Sequence, residues 1–251
     1  MTYLKIENVS VEFALYQAYA RSIKRVFLRT AVGGGIGEAT DSGRLVVKAL
    51  NGIDLDLREG DRLALVGHNG AGKTTLLRVM AGIYYPTVGQ VRAQGLRVPL
   101  FDLNCGFDEE ATGYENMVVR GLLMGYTRAQ IESKFDEIAE FSGLGDYLNL
   151  PIRTYSTGML LRLLFSIATS SPADILLMDE WIATGDRAFL DKANERLHAF
   201  VSQSQILVFA SHNAKMLQQV CNRGALLNSG RIVKVGSVDD VLNAYAAILK
   251  S

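Results

Sequence analysis

The sequence predicts an α/β fold with a mainly parallel sheet, an antiparallel β subdomain and an inserted helical subdomain. One reason is that short apolar runs of strand length alternate with segments of helical periodicity, the order that places helices on the faces of a parallel sheet. A second reason is that three of these runs end in glycine-rich, acidic or Ser-His segments, and ligands bind at strand ends in open α/β sheets. The 251 residues are enough for one such domain with a sizeable core.

The composition excludes several classes of protein. Lys and Arg together number 26, as do Asp and Glu, and this balance argues against a general binder of nucleic acid or another polyanion. The two cysteines, Cys105 and Cys221, are too few and too far apart for a disulfide framework or a zinc site. Residues 1–10 mix charged and apolar side chains, so no signal peptide is predicted. No apolar run reaches the roughly 18 residues that a membrane-spanning helix needs.

The first part of the chain predicts strands on either side of an amphipathic helix. Residues 3–13 alternate apolar and polar side chains, which predicts a strand. Residues 16–30 change to a helical period, and a glycine-rich loop at 33–37 follows. Two further strands are expected at 45–50 and 53–57. The helix has an apolar and a basic face, formed by Tyr16, Tyr19, Ile23, Val26 and Phe27 and by Arg21, Lys24, Arg25 and Arg29.

The rest of the chain continues the alternation of strands and helices. A helical section is predicted from about 115 to 170, and a final helix around 238–249. Short apolar strands are predicted at 63–66, 175–178 and 206–210, with an antiparallel pair at about 225–235. No internal repeat accompanies this pattern, so it predicts one sheet-centred domain.

A phosphate-binding loop is predicted after the strand at 63–66. Residues 67–74 satisfy the pattern G-x-x-x-x-G-K-[ST], with a strand before them and a helix beginning near Lys73. The glycines let backbone N–H groups and the helix N-terminus surround an anion. Lys73 adds a charge for the β- and γ-phosphates, and Thr74 offers its hydroxyl to Mg²⁺. The alternative is a glycine-rich turn that matches by chance. The predicted nucleotide ligands here are Gly67, Asn69, Gly70, Gly72, Lys73, Thr74 and Thr75.

Two carboxylates follow the apolar strand at 175–178. Asp179 stands where it would hold Mg²⁺, usually through water, and Glu180 stands where it would orient or deprotonate an attacking water. An apolar strand that ends in Asp-Glu is common and often structural, so the spacing alone leaves both interpretations open. A phosphate loop in the same chain favours the catalytic one.

Ser211 and His212 follow the strand at 206–210 in the same way. A lone histidine at a strand end is more often a structural hydrogen-bonding residue than a catalytic one. Because the strand ends of such a sheet share one rim, His212 is expected beside the carboxylates and within reach of a γ-phosphate.

Residues 155–159, Tyr-Ser-Thr-Gly-Met, stand about twenty residues before the Asp-Glu pair and resemble the signature motif of ABC ATPases. A serine and a glycine that open a helix present N–H groups and the positive end of a dipole to a phosphate. The alternative is an ordinary capped helix. The resemblance implies that Ser156 and Gly158 bind ATP held by the phosphate loop of a second subunit. It therefore implies an ATPase that uses ATP and Mg²⁺ and works as a head-to-tail homodimer.

This resemblance extends over nearly the whole chain and implies a P-loop NTPase (RecA-like) core. A single ABC ATPase domain is expected to span 1–251. Its core is expected at 1–99 and 171–251, and its helical subdomain at about 100–170.

Three departures from the commoner ABC pattern point to one branch. Tyr-Ser-Thr-Gly-Met replaces Leu-Ser-Gly-Gly-Gln, the segment after Glu180 ends in Gly185-Asp186, and Gly106-Phe107 with residues 112–116 precedes the helical section. These features resemble the ATP-binding subunits that export lipopolysaccharide O-antigen, capsule or teichoic-acid chains. The resemblance implies a peripheral subunit at the cytoplasmic face of the bacterial inner membrane, bound to polytopic permease subunits. It also implies that Asp186 lies in the loop that crosses the dimer interface.

Two positions fit the family pattern less well. The junction before the helical section has no glutamine to join the metal site to the membrane partner, and Asp102 is expected as its replacement at the metal. The aromatic residue that stacks on adenine corresponds to Phe13. Tyr16 is close enough to compete, and a core role is open for either.

The basic face of the helix at 16–30 is either a solvated surface or a contact for the membrane or a lipid-linked glycan. The chain ends soon after the helix at 238–249, so no C-terminal carbohydrate-binding domain is expected. Two other functions are open. The ATPase subunit of a small-solute ABC transporter would share every catalytic residue. A soluble ABC protein of translation or DNA repair typically carries two cassettes or a long coiled coil.

Overall fold

The computed structural model describes residues 1–14, 35–38, 45–101, 106–180 and 187–249. The predicted basic helix at 16–30, together with Asp102 and Asp186, lies outside the described residues. Contacts divide the chain into two compact units. The first unit comprises Met1–Gly95, Leu177–Glu180 and Gln205–Ser251, and the second comprises Leu96–Leu176 and Trp181–Ser204.

Strands and helices alternate along the described residues as the sequence predicts, except that Gly35–Glu38 is a strand, paired with residues 45–48, where a glycine-rich loop at 33–37 is expected. The strands are β1 (Tyr3–Ala14), β2 (Gly35–Glu38), β3 (Leu45–Arg58), β4 (Arg62–Val66), β5 (Val88–Gln94), β6 (Arg97–Pro99), β7 (Ile175–Asp179), β8 (Ile206–Ala210), β9 (Arg223–Asn228) and β10 (Arg231–Gly236). The helices are α1 (Lys73–Ala81), α2 (Gly113–Leu123), α3 (Arg128–Glu132), α4 (Phe135–Ser142), α5 (Thr157–Ala168), α6 (Arg187–Gln203), α7 (Ala214–Val220) and α8 (Val238–Ile248), with 3₁₀ turns at Gly145–Asn149 and Ile152–Thr154.

An antiparallel sheet in the order β2-β3-β1-β5 belongs to the first unit. Apolar residues of β1 alternate into the core, as the period-2 pattern predicts. The expectation of separate strands at 45–50 and 53–57 is wrong, because β3 runs through both. The intervening Asn51-Gly52 forms an irregularity within the strand: Gly52 has φ +62° and donates its N–H to Ser10 Oγ at 2.9 Å. The register between β1 and β3 shifts nearby.

A six-stranded sheet has the order β10-β9-β4-β8-β7-β6. β4 pairs in parallel with both β8 and β9, and the predicted antiparallel pair is β9 with β10. Every residue of β8 is fully buried, as is typical of a strand inside a parallel sheet covered on both faces. The sheet therefore confirms the predicted α/β class and brings the C-terminal ends of β4 and β8 to one edge.

The second unit is mainly helical. Its core is formed by apolar side chains from four helices and the turns between them: Met117, Ile131, Ile138, Leu144, Leu148, Ile152, Leu163 and Ile167. Capping boxes begin two of these helices, with Thr112 paired to Glu115 and Thr127 paired to Gln130. Among the helices that the structure describes, none has the length and apolar character needed to cross a membrane.

Candidate active site

The glycine-rich loop between β4 and α1 fits closely between neighbouring backbone segments. Gly72 caps α1 with φ +108°, and a Cβ there would lie 2.8 Å from the carbonyl oxygen of Ala49. A Cβ on Gly67 would overlap the carbonyl of Leu227. Only glycine avoids these contacts in this backbone, so the loop can lie close to β3 and β9 and lead directly into the N-terminus of α1, where an anion can bind.

Lys73 is the first residue of α1 and is held by the loop that precedes it. Its Nζ donates to the carbonyl oxygens of Gly67 at 2.6 Å and His68 at 3.1 Å. Burial lowers the pKa of Lys73 from its ordinary value of 10.5, and the nearby charges of Asp179 and Glu180 oppose that shift. The ammonium is thus kept at the mouth of the loop by neutral carbonyls that phosphate oxygens can replace.

Thr74 and Asp179 meet where α1 begins and β7 ends. The Thr74 hydroxyl donates to Asp179 Oδ2 at 2.5 Å. A hydroxyl oxygen beside a carboxylate oxygen is the donor set that Mg²⁺ takes in phosphate sites, where it uses few protein ligands. The two residues therefore fit the metal role predicted for them.

Glu180 is held by the segment that follows β8. Its backbone is left-handed, with φ +68°, and its N–H donates to the Ala210 carbonyl at 2.8 Å. Its Oε2 accepts from the Ser211 hydroxyl at 2.9 Å and its Oε1 from the His212 N–H at 3.0 Å. The His212 Nε2 lies 3.9 Å from the same Oε1. Both carboxylate oxygens are thus oriented from the end of the neighbouring strand.

One cleft of about 400 Å³ in the first unit brings most of these residues together. Its lining is Val47, Ala49, Asn69, Gly70, Gly72, Lys73, Thr74, Thr75, Asp179, Glu180 and His212. The lining combines backbone donors and a cation with carboxylates and an imidazole, beside two apolar residues of β3. Such a cleft can bind a polyphosphate and place a general base beside it.

Phe13 is not among the residues that line this cleft, but its strand register places it beside one of them. It is the cross-strand partner of Val47, which lines the cleft, and paired positions share one face of a sheet. The ring is 40% exposed and packs edge-on against Tyr84, with centroids 5.6 Å apart. Its predicted contact with adenine stays a prediction.

Ser156 and Gly158 lie in the second unit, at the start of α5. Ser156 is the N-cap and accepts from the Met159 N–H at 3.2 Å. Both residues are exposed, and a Cβ on Gly158 would meet only Ser156 Oγ, at 3.9 Å. The helix N-terminus is thus open to an incoming anion, as the prediction of binding in trans requires.

Sequence reasoning missed three contributors to the cleft. The sequence pattern singles out Ser211 only as the neighbour of His212, whereas its hydroxyl donates to Glu180 Oε2. Gly230 donates its N–H to the Ala71 carbonyl at 3.0 Å and so supports the phosphate loop. Val47, an ordinary strand residue by its pattern, forms part of the wall. The Ser-His segment after an apolar strand was the one available signal, and it indicated Ser211 alone.

The family model described as "ABC transporter" matches residues 50–183. This span contains the phosphate loop, the signature-like segment and the Asp179-Glu180 pair. The chain therefore belongs to the ABC transporter family, and it is an ATP-binding ATPase, as the sequence predicted.

Two curated relatives are similar to the chain over most of their own length. The chain is 45% identical to "O-antigen export system ATP-binding protein RfbE" of Yersinia enterocolitica, over 92% of this chain and 97% of that protein. It is 34% identical to "Teichoic acids export ATP-binding protein TagH" of Staphylococcus saprophyticus, over 98% of this chain and 89% of that protein. Both belong to the branch that the sequence resembled.

A solved structure shares the fold at lower sequence similarity. The dimeric post-hydrolysis state of the ATP-binding cassette MJ0796, bound to ADP and Pi, is 16% identical and has a TM-score of 0.65. The match covers 94% of this chain and 98% of that one. At this identity the likeness shows the fold alone.

Proposed function

We propose that the chain is the ATP-hydrolysing subunit that energises export of a lipid-linked polysaccharide of O-antigen type across a bacterial inner membrane. The observation that carries the proposal is the cleft in which Lys73, Thr74, Asp179, Glu180 and His212 converge. The choice of polysaccharide is supported by the two export proteins to which the chain is similar over nearly its whole length. That relationship disfavours the small-solute and soluble alternatives.

The glycine-rich loop binds the phosphates of ATP. Backbone N–H groups of the loop and the N-terminus of α1 face the anion, with Asn69 and Thr75 at its rim. Lys73 exchanges its carbonyl partners for β- and γ-phosphate oxygens, which restores a strong charge-assisted interaction. Phe13 stacks on the adenine at the edge formed with Val47.

Thr74 with its hydroxyl and Asp179 with its carboxylate would hold Mg²⁺. When bound, the ion would supply positive charge that offsets the negative charge of the phosphates. Asp102 is the proposed replacement for the family glutamine at this site, although it lies outside the described residues.

Glu180 orients the attacking water and accepts its proton while the water oxygen bonds to the γ-phosphorus. The bond from phosphorus to the bridging oxygen breaks, and ADP leaves with that oxygen. His212 lies beside Glu180 and offers its imidazole to a γ-phosphate oxygen. The hydrogen bonds from Ser211 and the His212 N–H restrict the carboxylate to the orientation that reaches the water.

Two copies complete each other's sites in a head-to-tail dimer with two ATP molecules between them. Ser156 and the α5 N-terminus of one copy bind the γ-phosphate held by the other, and Gly158 leaves room for the approach. Asp186 crosses the same interface in this proposal. ATP binding closes the dimer, and hydrolysis with phosphate release reopens it.

The partner that receives this cycle is a polytopic permease. The chain works peripherally at the cytoplasmic face of the inner membrane, attached through that permease. The basic segment at 16–30, predicted from the sequence alone, is the proposed contact for the membrane surface or the lipid-linked glycan. Nucleic acid is not among the proposed partners, because the overall charge is balanced.

The test is the ATPase activity of a membrane-extracted complex tagged on this chain, measured with and without polyprenyl-linked glycan. We expect a co-purifying membrane protein and glycan-stimulated hydrolysis. Glu180→Gln is the matched control, because it keeps the side-chain size and removes the base. Glycan-independent hydrolysis with a membrane partner would favour a small-solute transporter. Recovery of an active ATPase without any membrane partner would instead support a soluble factor.

A further inference from the structure

Tyr155, the residue before Ser156, is held at its hydroxyl, its ring and its backbone. The hydroxyl donates to the carbonyl oxygen of Tyr147 at 2.6 Å. The ring meets the Tyr147 ring edge-on, at 6.5 Å between centroids and 87° between planes. The backbone N–H donates to the Ile152 carbonyl at 2.9 Å. The residue that leads into the N-cap of α5 therefore has little freedom to turn.

Gly113, at the start of α2, provides the space for this hydroxyl. A Cβ on Gly113 would lie 2.6 Å from the Tyr155 hydroxyl oxygen and 3.0 Å from Leu148 Cδ2. The position is buried and helical, and its φ is not positive. Glycine is thus favoured here by the close approach of Tyr155, and to a smaller degree of Leu148, and not by the backbone conformation. Tyr155 and Gly113 fit each other as a pair.

The backbone around Gly113 is also paired with the segment before Tyr155. Thr112 forms a β-bridge with Pro151, and the Ile152 N–H donates to the Ala111 carbonyl at 3.0 Å. The Arg153 N–H donates to the Glu109 carbonyl at 3.1 Å. These backbone contacts therefore hold residues 109–113 alongside residues 151–155.

Asn116 hydrogen-bonds to the backbone at residues 108–112, which include most of the first of these two segments. It is 1% exposed, and its Nδ2 donates to the carbonyls of Asp108, Ala111 and Thr112 at 2.9, 3.1 and 3.0 Å. Its Oδ1 accepts from the Asp108 N–H at 2.9 Å. Asn116 thus ties residues 108–112 to α2, and Gly113 of α2 contacts Tyr155, which precedes α5.

We infer that Tyr155 and Gly113 are positioning residues for the signature serine, Ser156, and that their contact sets the orientation in which Ser156 meets the nucleotide of a second copy. The inference rests on the proposed function, because it requires Ser156 to act in trans. The contact between Tyr155 and Gly113 accounts for two departures from the commoner family pattern. A tyrosine replaces leucine before the serine, and the segment at 112–116 supplies the glycine that makes room for its hydroxyl.

The first experiment separates binding in trans from binding in the chain's own cleft. In the full-length Glu180→Gln chain, ATP-dependent dimerisation is measured by sedimentation, and affinity for a fluorescent ATP analogue is measured below the dimerising concentration. Tyr155→Phe removes one hydrogen bond at each of two sites, so we expect the half-dimerising concentration to rise about tenfold. Affinity for the analogue stays unchanged, because the cleft belongs to the first unit.

Tyr147→Phe is the matched control. It deletes an equivalent hydroxyl from the same ring pair and keeps the carbonyl that accepts from Tyr155. Its dimerisation should equal that of the parent chain. If Tyr155→Phe also dimerises like the parent, the positioning role is overturned.

A double-mutant cycle tests the steric pairing directly. Gly113→Ala should weaken dimerisation, because the new methyl displaces the Tyr155 hydroxyl. In the Tyr155→Phe chain that hydroxyl is gone and the contacts with Leu148 remain, at 3.0 Å from its Cδ2 and 3.1 Å from its Cα, so the same substitution should weaken dimerisation by less. Strictly additive effects would contradict the pairing. Circular dichroism and urea unfolding of each variant identify any loss of folding.

The parent chain distinguishes failure of this inference from failure of the proposed function. A parent that stays monomeric with ATP contradicts the head-to-tail dimer, and the role of Tyr155 falls with it. A parent that dimerises, beside a Tyr155→Phe variant that does so equally well, contradicts the positioning role alone.

Discussion

At the scale of single residues, Glu180 has a strained backbone conformation and a carboxylate whose two oxygens both accept hydrogen bonds. A left-handed conformation costs a residue with a Cβ roughly 1–2 kcal/mol, and Glu180 adopts one with φ +68°. Its N–H bond to the Ala210 carbonyl and its carboxylate bonds to Ser211 and the His212 N–H hold it there. Strain that is held by surrounding hydrogen bonds is typical of a catalytic position.

Ser211→Ala should lower kcat for ATP hydrolysis about fivefold, with little change in KM. The lost hydrogen bond contributes roughly 1 kcal/mol to the orientation of Glu180, and it lies apart from the loop that binds phosphates. Ser211→Thr keeps the hydroxyl and should retain most of the activity. Steady-state kinetics of all three chains provide the measurement. If the alanine and threonine variants lose kcat equally, the size of the side chain at position 211, and not its hydroxyl, is what supports Glu180.

Cys221 should resist thiol reagents in the folded chain. It is 9% exposed, and burial raises the pKa of its thiol to about 12, so almost no thiolate forms at pH 8. In a Cys105→Ser chain we expect slow labelling that becomes rapid in denaturant. The same shift makes the free energy of unfolding depend on pH. The thiol has a pKa near 9 in the unfolded chain and about 12 in the folded chain, so the unfolded chain loses this proton first and stability falls as the pH rises from 9 to 12. Rapid native labelling would contradict the burial.

At the scale of elements, the turn between β9 and β10 supports the phosphate loop from outside. Gly230 donates its N–H to the Ala71 carbonyl at 3.0 Å and accepts from the Asn51 N–H at 2.8 Å. It has φ +74°, and a Cβ there would lie 2.7 Å from the Ala49 carbonyl oxygen. One turn therefore joins the loop to the strand that forms the cleft wall.

Gly230→Ala should weaken nucleotide binding by about tenfold and destabilise the chain by roughly 2–4 kcal/mol, because it adds a backbone clash to the strained conformation. Gly60→Ala is the matched control, since Gly60 has φ +91° with nothing near its absent Cβ. It should cost only the roughly 1–2 kcal/mol of the left-handed conformation and leave affinity unchanged. Urea unfolding and titration with a fluorescent nucleotide measure the two effects. Similar affinity in both variants would remove Gly230 from its supporting role.

Elements whose signal is local were predictable, and those that depend on distant partners were not. β4 and β8 end at the predicted residues and β7 ends one residue later, because a fully buried strand shows in its own composition. The short edge strand β5 was not predicted, because most of its residues are exposed and its pairing with β1 supplies its order. β3 was divided at Asn51-Gly52, where a turn signal is overridden by hydrogen bonds to Ser10 and Gly230.

The same distinction holds for the cleft. The Gly-Lys-Thr pattern and the Asp-Glu pair carry their chemistry in adjacent residues, so the sequence alone predicts both. Ser211 binds Glu180 from 31 positions away, and Gly230 reaches the loop from a turn with no motif of its own. Neither partner is visible until the sheet order is known.

At the scale of the whole molecule, nucleotide binding should stabilise the fold by mass action. With ATP at 100 times its Kd, the free energy of unfolding should rise by about 2.7 kcal/mol, because only the folded chain has the cleft. The measurement is the thermal midpoint of the Glu180→Gln chain with increasing ATP, at a protein concentration that keeps it monomeric. Lys73→Ala removes the buried ammonium and should show a much smaller rise. An equal rise in both chains would place the binding elsewhere.

The chain passes between the two units four times before it ends. The phosphate loop is made within the first third of the sequence, yet β4 pairs with β8 and β9, which begin at Ile206 and Arg223. A ribosome synthesising the chain from its N-terminus therefore releases the loop long before either neighbouring strand exists. Long-range pairing of this kind forms late and leaves apolar edges exposed in the meantime. Retention on an immobilised nucleotide would thus select chains whose translation has reached the end of the sheet and reject prematurely terminated ones.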